Sequence, residues 1–354
     1  MQKEIDRILI IRLSSLGDVI LTAPVIAALK AKFPHSELFF LTKARYADLL
    51  RNDPRISSLV EFDPRGKHRG LSGFASLISE LRSYDFDLLV DLHANLRSFL
   101  VRRLVKSRIK LKYNKRWLRR WLMVHLRFLK TKALRTVHSY LEPLQKLEVE
   151  LPQPSPLIFL SRDDLGFSNH FLLERQVKKD DIVVGVHPGA KWETKRWDEE
   201  KFARVCQSLV EKSDCKIVLL GDAGEAKLVE EVGRNIPTDQ LIKAINLPLG
   251  GVMALIKRCD CLITNDSGPM HIASALGVPV VAIFGPTHPK LGFAPVGSEN
   301  VVLCADVKCS PCGLHGEKRC SKKSRFCMDL IESEMVIEAA EKLLQENKSV
   351  SKET

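Results

Sequence analysis

Apolar residues gather in short runs separated by turns rich in Gly, Pro, Asn and Asp, and the runs predict the elements. Arg7 to Leu13 (RILIIRL) is β-branched and uninterrupted, the pattern of a strand buried on both faces. Ser14-Ser-Leu-Gly-Asp18 reads as a loop, and Val19 to Phe33 as a helix with Pro24 in its early turns. Glu37 to Thr42 and Asp87 to Leu92 predict two more strands. After the Pro-rich stretch Leu151-Pro-Gln-Pro-Ser-Pro156, suited to a linker, the alternation restarts. Strands are predicted at Ile182 to Val186, Lys216 to Leu220, Cys261 to Thr264 and Val278 to Phe284, with a helix from Met270 to Leu276. An amphipathic helix over Glu332 to Glu346 and a frayed tail over 347–354 close the chain. Strands alternating with helices imply parallel sheets covered on both faces. The prediction is two doubly wound α/β units with ligands at the carboxyl ends of their strands.

The length of 354 residues suits two domains. The expected division is 1–160, 161–330 and a terminal segment 331–354. No leading apolar stretch resembles a secretory signal, and no run approaches the ~20 residues that span a bilayer. The expectation is a soluble, cytoplasmic protein, in which nine cysteines suggest metal ligands, redox groups or buried thiols before disulfides.

The net charge of +12 comes from one place. Between Arg97 and Arg135 stand fifteen Lys and Arg and no acidic residue, leaving 40 basic against 43 acidic residues elsewhere. Trp117, Trp121, Val124 and Phe128 recur at helical spacing there, while Arg116, Arg119, Arg120, Arg127 and Lys130 fall largely off that face. Such a helix can lie on an anionic membrane, contact nucleic-acid phosphates, or simply pack with a solvated basic face.

Three turns that follow strands carry candidate chemistry. In the first, Gly17 permits a tight turn and Asp18 stands at the edge of the sheet, where a helix N-terminus favours its ionised form. Such a carboxylate can take the proton of an attacking sugar hydroxyl, or merely cap the helix. In the second, His187-Pro-Gly189-Ala190-Lys191-Trp-Glu-Thr-Lys195-Arg-Trp197, small residues and cations suit a diphosphate. In the third, Asp266 and Ser267 can cap a helix, Gly268 keeps the turn open and His271 lies one turn further on, a second phosphate or ribose contact. The first turn lacks G-x-G-x-x-G and the second is not a Walker A sequence, which argues against a dinucleotide site and P-loop chemistry respectively. Cys309-x2-Cys312-x7-Cys320-x6-Cys327 could hold a tetrahedral zinc or iron, free thiols being the alternative. Asp85-Phe-Asp87 has the form of a metal-dependent nucleotide-sugar motif, but it opens an apolar strand away from the phosphate turns and reads as structural.

Four segments together resemble glycosyltransferase family 9, the ADP-heptose:lipopolysaccharide heptosyltransferases: ILIIRLSSLGDVILTAP (8–24), DLHANLRS (91–98), HPGAKWETKRW (187–197) and ITNDSGPMHIASALGVPVVAIFGP (263–286). The cysteine stretch is similar to the branch that adds the second heptose. The resemblance implies a GT-B fold: an acceptor domain, a nucleotide-sugar domain, a cleft between them and a final helix returning to the first domain. It implies inverting transfer from ADP-heptose to an anionic Kdo/heptose-lipid A acceptor at the inner face of the cytoplasmic membrane, with no required cofactor and no nucleic acid. Carried over by position, Asp18 matches the base and Lys195 the lysine that neutralises the departing diphosphate. Gly189, Ala190, Lys191, Asp266, Ser267, Gly268 and His271 match the donor site. Asp222 and Glu225 both qualify for the adenosine side, and Arg97 and Ser98 for acceptor contact. Trp192-Glu193-Thr194 stands where small residues would be expected. A GT-B nucleotide-sugar epimerase and a basic nucleic-acid-binding protein stand behind this reading.

Overall fold

The computed structural model describes residues 4–126, 133–149, 157–297 and 299–350. The chain forms two compact units, one of residues 1–117 and 135–159, the other of residues 118–134 and 160–354.

The first unit carries a five-stranded parallel sheet of β1 (Arg7–Ile11), β2 (Glu37–Lys43), β3 (Ser58–Phe62), β4 (Phe86–Asp91) and β5 (Ser107–Lys112), in the order β3-β2-β1-β4-β5. Ile8 to Ile11 of β1 are fully buried, as their unbroken apolar run requires. The order reverses between β1 and β4, so a crevice opens beyond the carboxyl ends of those two strands. The helix expected over 19–33 is two, Leu16–Ile20 and Ala23–Lys32. Pro24 cannot donate a backbone hydrogen bond, so the second helix starts afresh with Pro24 in its first turn. Asp87 accepts the backbone N–H groups of Asp6 and Arg7, at 3.0 and 3.2 Å, the structural role expected of the Asp85-Phe-Asp87 segment.

The second unit carries six parallel strands: β6 (Val183–His187), β7 (Lys216–Gly221), β8 (Leu241–Ile245), β9 (Cys261–Asn265), β10 (Val280–Phe284) and β11 (Asn300–Cys304). Their order is β11-β10-β9-β6-β7-β8, with its reversal between β6 and β9. Register pairs His187 with Thr264, which brings the ends of those strands side by side. β3, β5, β8 and β11 escape the sequence pattern because they lie near the sheet edges, where polar residues interrupt the apolar runs.

The terminal helix Ser333–Val350 falls within the second unit. Val336, Ile337, Ala340, Leu343 and Leu344 form one buried stripe in the core with Phe202, Val205 and Leu209. Just before it, the Trp197 indole N–H and the Lys201 ammonium both donate to the carbonyl of Ile331, at 3.0 Å each. The basic segment divides. Met123, Val124 and Leu134 pack with Leu291, Phe293 and Leu314 of the second unit. In the helix Trp117–His125, Val124 is buried whereas Trp117, Leu118 and Trp121 are exposed. Arg127, Phe128, Lys130, the Pro-rich stretch 151–156 and the tail residues 351–354 lie outside the described residues.

Candidate active site residues

The first constellation lies at the reversal of the first sheet. Asp18 is the third residue of the helix Leu16–Ile20 and closes a capping box with Ser15, whose N–H and hydroxyl donate to its Oδ2 at 3.1 and 2.7 Å. Arg12, just past β1, places its guanidinium 2.8 Å from the same oxygen, and Tyr140 donates its hydroxyl to Oδ1 at 2.8 Å. Burial alone would raise the Asp18 pKa. Arg12, Ser15 and Tyr140 outweigh it and hold the carboxyl well below the usual range. Asp18 is therefore an ionised carboxylate, 16% exposed, at the carboxyl edge of the first sheet. Capping and chemistry are not alternatives here, since the caps fix the charge in place. Sequence reasoning missed Tyr140, which comes from 122 residues away, and Arg12, which reads there as a strand residue.

The acceptor candidates fare differently. Ser98 is fully buried, and its hydroxyl donates to Asp91 Oδ2 at 3.1 Å while receiving the N–H of Asn95 at 3.0 Å. Its hydrogen bonds tie the start of the helix Leu96–Leu104 to the end of β4. Arg97 is exposed, its guanidinium 6.0 Å from the centre of the Phe62 ring.

The second constellation lies at the reversal of the second sheet. Asn265 donates to the carbonyls of Pro188 and Gly189 at 2.8 and 3.3 Å and accepts the N–H of Trp197 at 3.0 Å. Arg196 donates to the carbonyl of Ala190 at 2.9 Å. These bonds tie the 188–197 loop to the end of β9. Within it, Lys195 sits 2.6 Å from Asp266, which also accepts the hydroxyl of Thr287. Lys195 and Asp266 are 14% and 8% exposed, so the pair is sheltered but not sealed. A lysine on such a loop carries a charge of the sign that a diphosphate requires. Lys191 is exposed, its ammonium 5.4 Å from the centre of the neighbouring Trp192 ring.

Ser267 is the N-cap residue of the helix Gly268–Ala275, but its side chain makes no capping bond. Its hydroxyl lies 3.3 Å from His187 Nδ1 and 3.1 Å from Thr264. The first-turn amides are thus left uncapped by the residue that would normally serve them, which suits an anion. His271, one turn on, is buried.

The two acidic candidates, Asp222 and Glu225, stand in different surroundings. Asp222 is exposed and caps a short turn by accepting the N–H of Gly224 at 2.8 Å. Glu225 is buried, 3.4 Å from His187 Nε2, and accepts the N–H of Asp222 at 3.1 Å. Burial would raise its pKa, but His187, the Asp222 amide and Arg196 bring it below the ordinary value. A methyl group on Gly189 would come within 2.0 Å of Glu225 Oε1, so the glycine makes room for this carboxylate.

The four cysteines do converge. Cys309, Cys312, Cys320 and Cys327 line one cavity of about 350 Å³. Among the described residues no three His, Cys, Asp or Glu side chains are grouped so as to hold a metal ion. The same loop is tied to the residue next to Lys195: Thr194 donates to the carbonyl of Glu317 and accepts its N–H, each at 2.8 Å.

Comparison with known proteins gives a consistent match. The model of glycosyltransferase family 9 (heptosyltransferase) matches residues 74–323. A lipooligosaccharide heptosyltransferase 2 of Campylobacter jejuni (serotype O:2) is 38% identical over 51% of this chain and 56% of its own length. Another, from serotype O:6, is 28% identical over 93% of this chain and 96% of its own. The crystal structure of a family 9 glycosyl transferase from Veillonella parvula superposes with a TM-score of 0.81 at 26% identity, covering 98% of this chain and 99% of that one.

Proposed function

The chain belongs to glycosyltransferase family 9, the heptosyltransferases, and from that premise we propose that it transfers heptose from ADP-heptose to an inner-core sugar of a lipid A-linked acceptor. The observation that carries the proposal is Asp18, ionised and fixed by Arg12, Ser15 and Tyr140 at the carboxyl edge of the first sheet. In the proposed reaction the second unit holds the donor. Lys195 and the first-turn amides of the helix Gly268–Ala275 take the diphosphate, and Glu225 takes the adenosine side. An acceptor hydroxyl attacks the anomeric carbon as the bond to the diphosphate oxygen breaks. The hydroxyl proton passes to Asp18, and the electron pair leaves with ADP.

Asp18 is a weak base while four donors surround it, so proton transfer comes late, once bond formation has made the attacking oxygen acidic. Lys195 offsets charge building on the leaving diphosphate, the step at which fixed cations act most strongly. No metal is needed for these steps. Incubating the chain with ADP-heptose and a Kdo/heptose-lipid A acceptor tests the proposal. The expected product is the acceptor one heptose heavier, with release of ADP; an unchanged acceptor mass with ADP-heptose and a panel of other nucleotide-sugars defeats it.

We further propose a peripheral association with an anionic membrane surface. No helix among the described residues is long and apolar enough to cross a membrane. The support is the helix Trp117–His125, which exposes Trp117, Leu118 and Trp121 beside Arg119 and Arg120, each basic residue near such a surface contributing on the order of 1 kcal/mol. Flotation with anionic liposomes should show binding that weakens with salt. A structural zinc or iron held by Cys309, Cys312, Cys320 and Cys327 is a separate proposal, supported by their shared cavity. The ion would cross-link the loop that carries Glu317.

A further inference from the structure

His93 stands two residues past β4, at the same reversal of the first sheet that presents Asp18 past β1. Its loop is built to hold it. Buried Asp91 accepts the backbone N–H groups of His93 and Ala94 at 3.0 and 2.8 Å. Ala94 adopts a left-handed φ of 49°, which a residue with a side chain holds only where its surroundings enforce it. Arg12, the residue that pairs with Asp18, also donates to the carbonyl of Leu92 at 2.6 Å. One guanidinium thus fixes the proposed base and the peptide next to His93.

The imidazole itself is left unfinished. Its Nδ1 is shut away from solvent and makes no hydrogen bond among the described residues. A buried polar atom without a partner is costly and calls for a reason. Burial first, then the positive charges of Arg12, Lys115 and Lys43, push its pKa down to about 3, against a smaller opposing pull from Asp18. The ring is therefore neutral at any pH near 7, with one N–H and one lone pair. Neutrality matters at this place: an imidazolium would pair with Asp18 and compete for the proton acceptor, whereas a neutral ring leaves that charge available.

We infer that His93 contacts the acceptor, exchanging a hydrogen bond with a hydroxyl of the anionic sugar whose neighbouring oxygen attacks the donor. The inference rests on the transferase reading above and deepens it by naming an acceptor residue. Asp18 is surrounded by Arg12, Ser15 and Tyr140, so it cannot orient an incoming sugar alone. A second, rigidly mounted group is required, and His93 supplies it.

The test compares the full-length wild type with His93→Phe and His93→Gln. Steady-state transfer is measured with each substrate varied in turn, with ADP binding by calorimetry and thermal unfolding alongside. Phe keeps the ring and removes the unpartnered nitrogen, so its melting temperature should not fall, while the acceptor KM rises at least about tenfold. The donor KM and ADP affinity should stay within about twofold. Gln restores a donor and an acceptor, so its acceptor KM should lie closer to the wild-type value than that of Phe. An unchanged acceptor KM in His93→Phe overturns the inference, as does a matching rise in donor KM, or a Gln variant no better than Phe. If the wild type binds ADP but transfers nothing to the acceptor, the transferase reading falls and the inference with it, a result distinguishable from the others.

Discussion

Replacing Asp18 by Asn keeps the shape of the side chain and removes its charge, and two consequences follow that can be separated. The first is chemical. Loss of a positioned proton acceptor should lower turnover about 10²–10⁴-fold. The second is structural. Arg12 is only 9% exposed, and its guanidinium lies 2.8 Å from Asp18. Removing one member of such a pair leaves an uncompensated charge, which costs about 3–5 kcal/mol when burial is complete. With Asp18 itself 16% exposed, about 2–4 kcal/mol is the expected loss of stability. Low turnover in Asp18→Asn alone could thus reflect a weakened first unit.

The double variant Arg12→Met/Asp18→Asn resolves this. With no unpaired charge left, it should recover most of the stability and none of the turnover, while ADP affinity remains near wild type in both variants. Thermal unfolding, calorimetry with ADP and the heptosyl-transfer assay provide the three readings. Near-normal turnover in Asp18→Asn, or turnover that returns with stability in the double variant, would falsify the assignment of Asp18 as the base. The sign of the pH dependence supplies a check. Asp18 has a lower pKa folded than unfolded, so its ion pair stabilises fully above the unfolded value of about 4 and is lost as pH falls through the folded value. The stability of the wild type relative to the double variant should be constant from pH 5 to 8 and fall only in stronger acid.

Lys195→Ala should lower the transfer rate about 10²–10³-fold and also weaken ADP binding, because the ammonium serves the bound and the departing diphosphate alike; calorimetry showing unchanged ADP affinity would remove it from the donor site. Gly189→Ala should displace Glu225 from His187, since the added carbon meets the Glu225 carboxylate at 2.0 Å; ADP affinity and melting temperature should both drop, whereas an unchanged ADP affinity would take Glu225 out of nucleoside recognition. Elemental analysis of the purified chain should find about one zinc or iron per molecule, lost in Cys309→Ser/Cys312→Ser together with some thermal stability, as expected for a structural four-thiolate site. Metal-free protein of wild-type stability would leave the cysteines as free thiols.

The strand-and-turn pattern made the two α/β units legible, and with them the three turns that matter. β1, β4, β6, β9 and β10 are buried central strands whose apolar runs declare themselves, and chemistry at their carboxyl ends follows from topology. Motif spacing placed Asp18, Lys195 and Asp266 among the candidates, and the family resemblance added Asp222 and Glu225. Neither could divide their labour. Asp222 and Glu225 are equal in sequence, and burial against His187 separates them. Ser98 looks like a ligand residue in sequence and proves to be a buried hydrogen-bond donor to Asp91. The terminal helix shows an apolar stripe in the sequence, but its destination depends on which complementary surface is near, and that surface belongs to the second unit.

What the sequence determined by itself is local: which runs pair into sheets, where the chain turns, and which turns carry carboxylates and cations. Tertiary structure decided the electrostatics. Tyr140 reaches Asp18 across 122 residues, and the loop past β4 brings His93 within range of Arg12, Lys43 and Lys115. Ionisation depends on desolvation and on charges a few ångströms away, and those distances come into being only when the chain closes on itself.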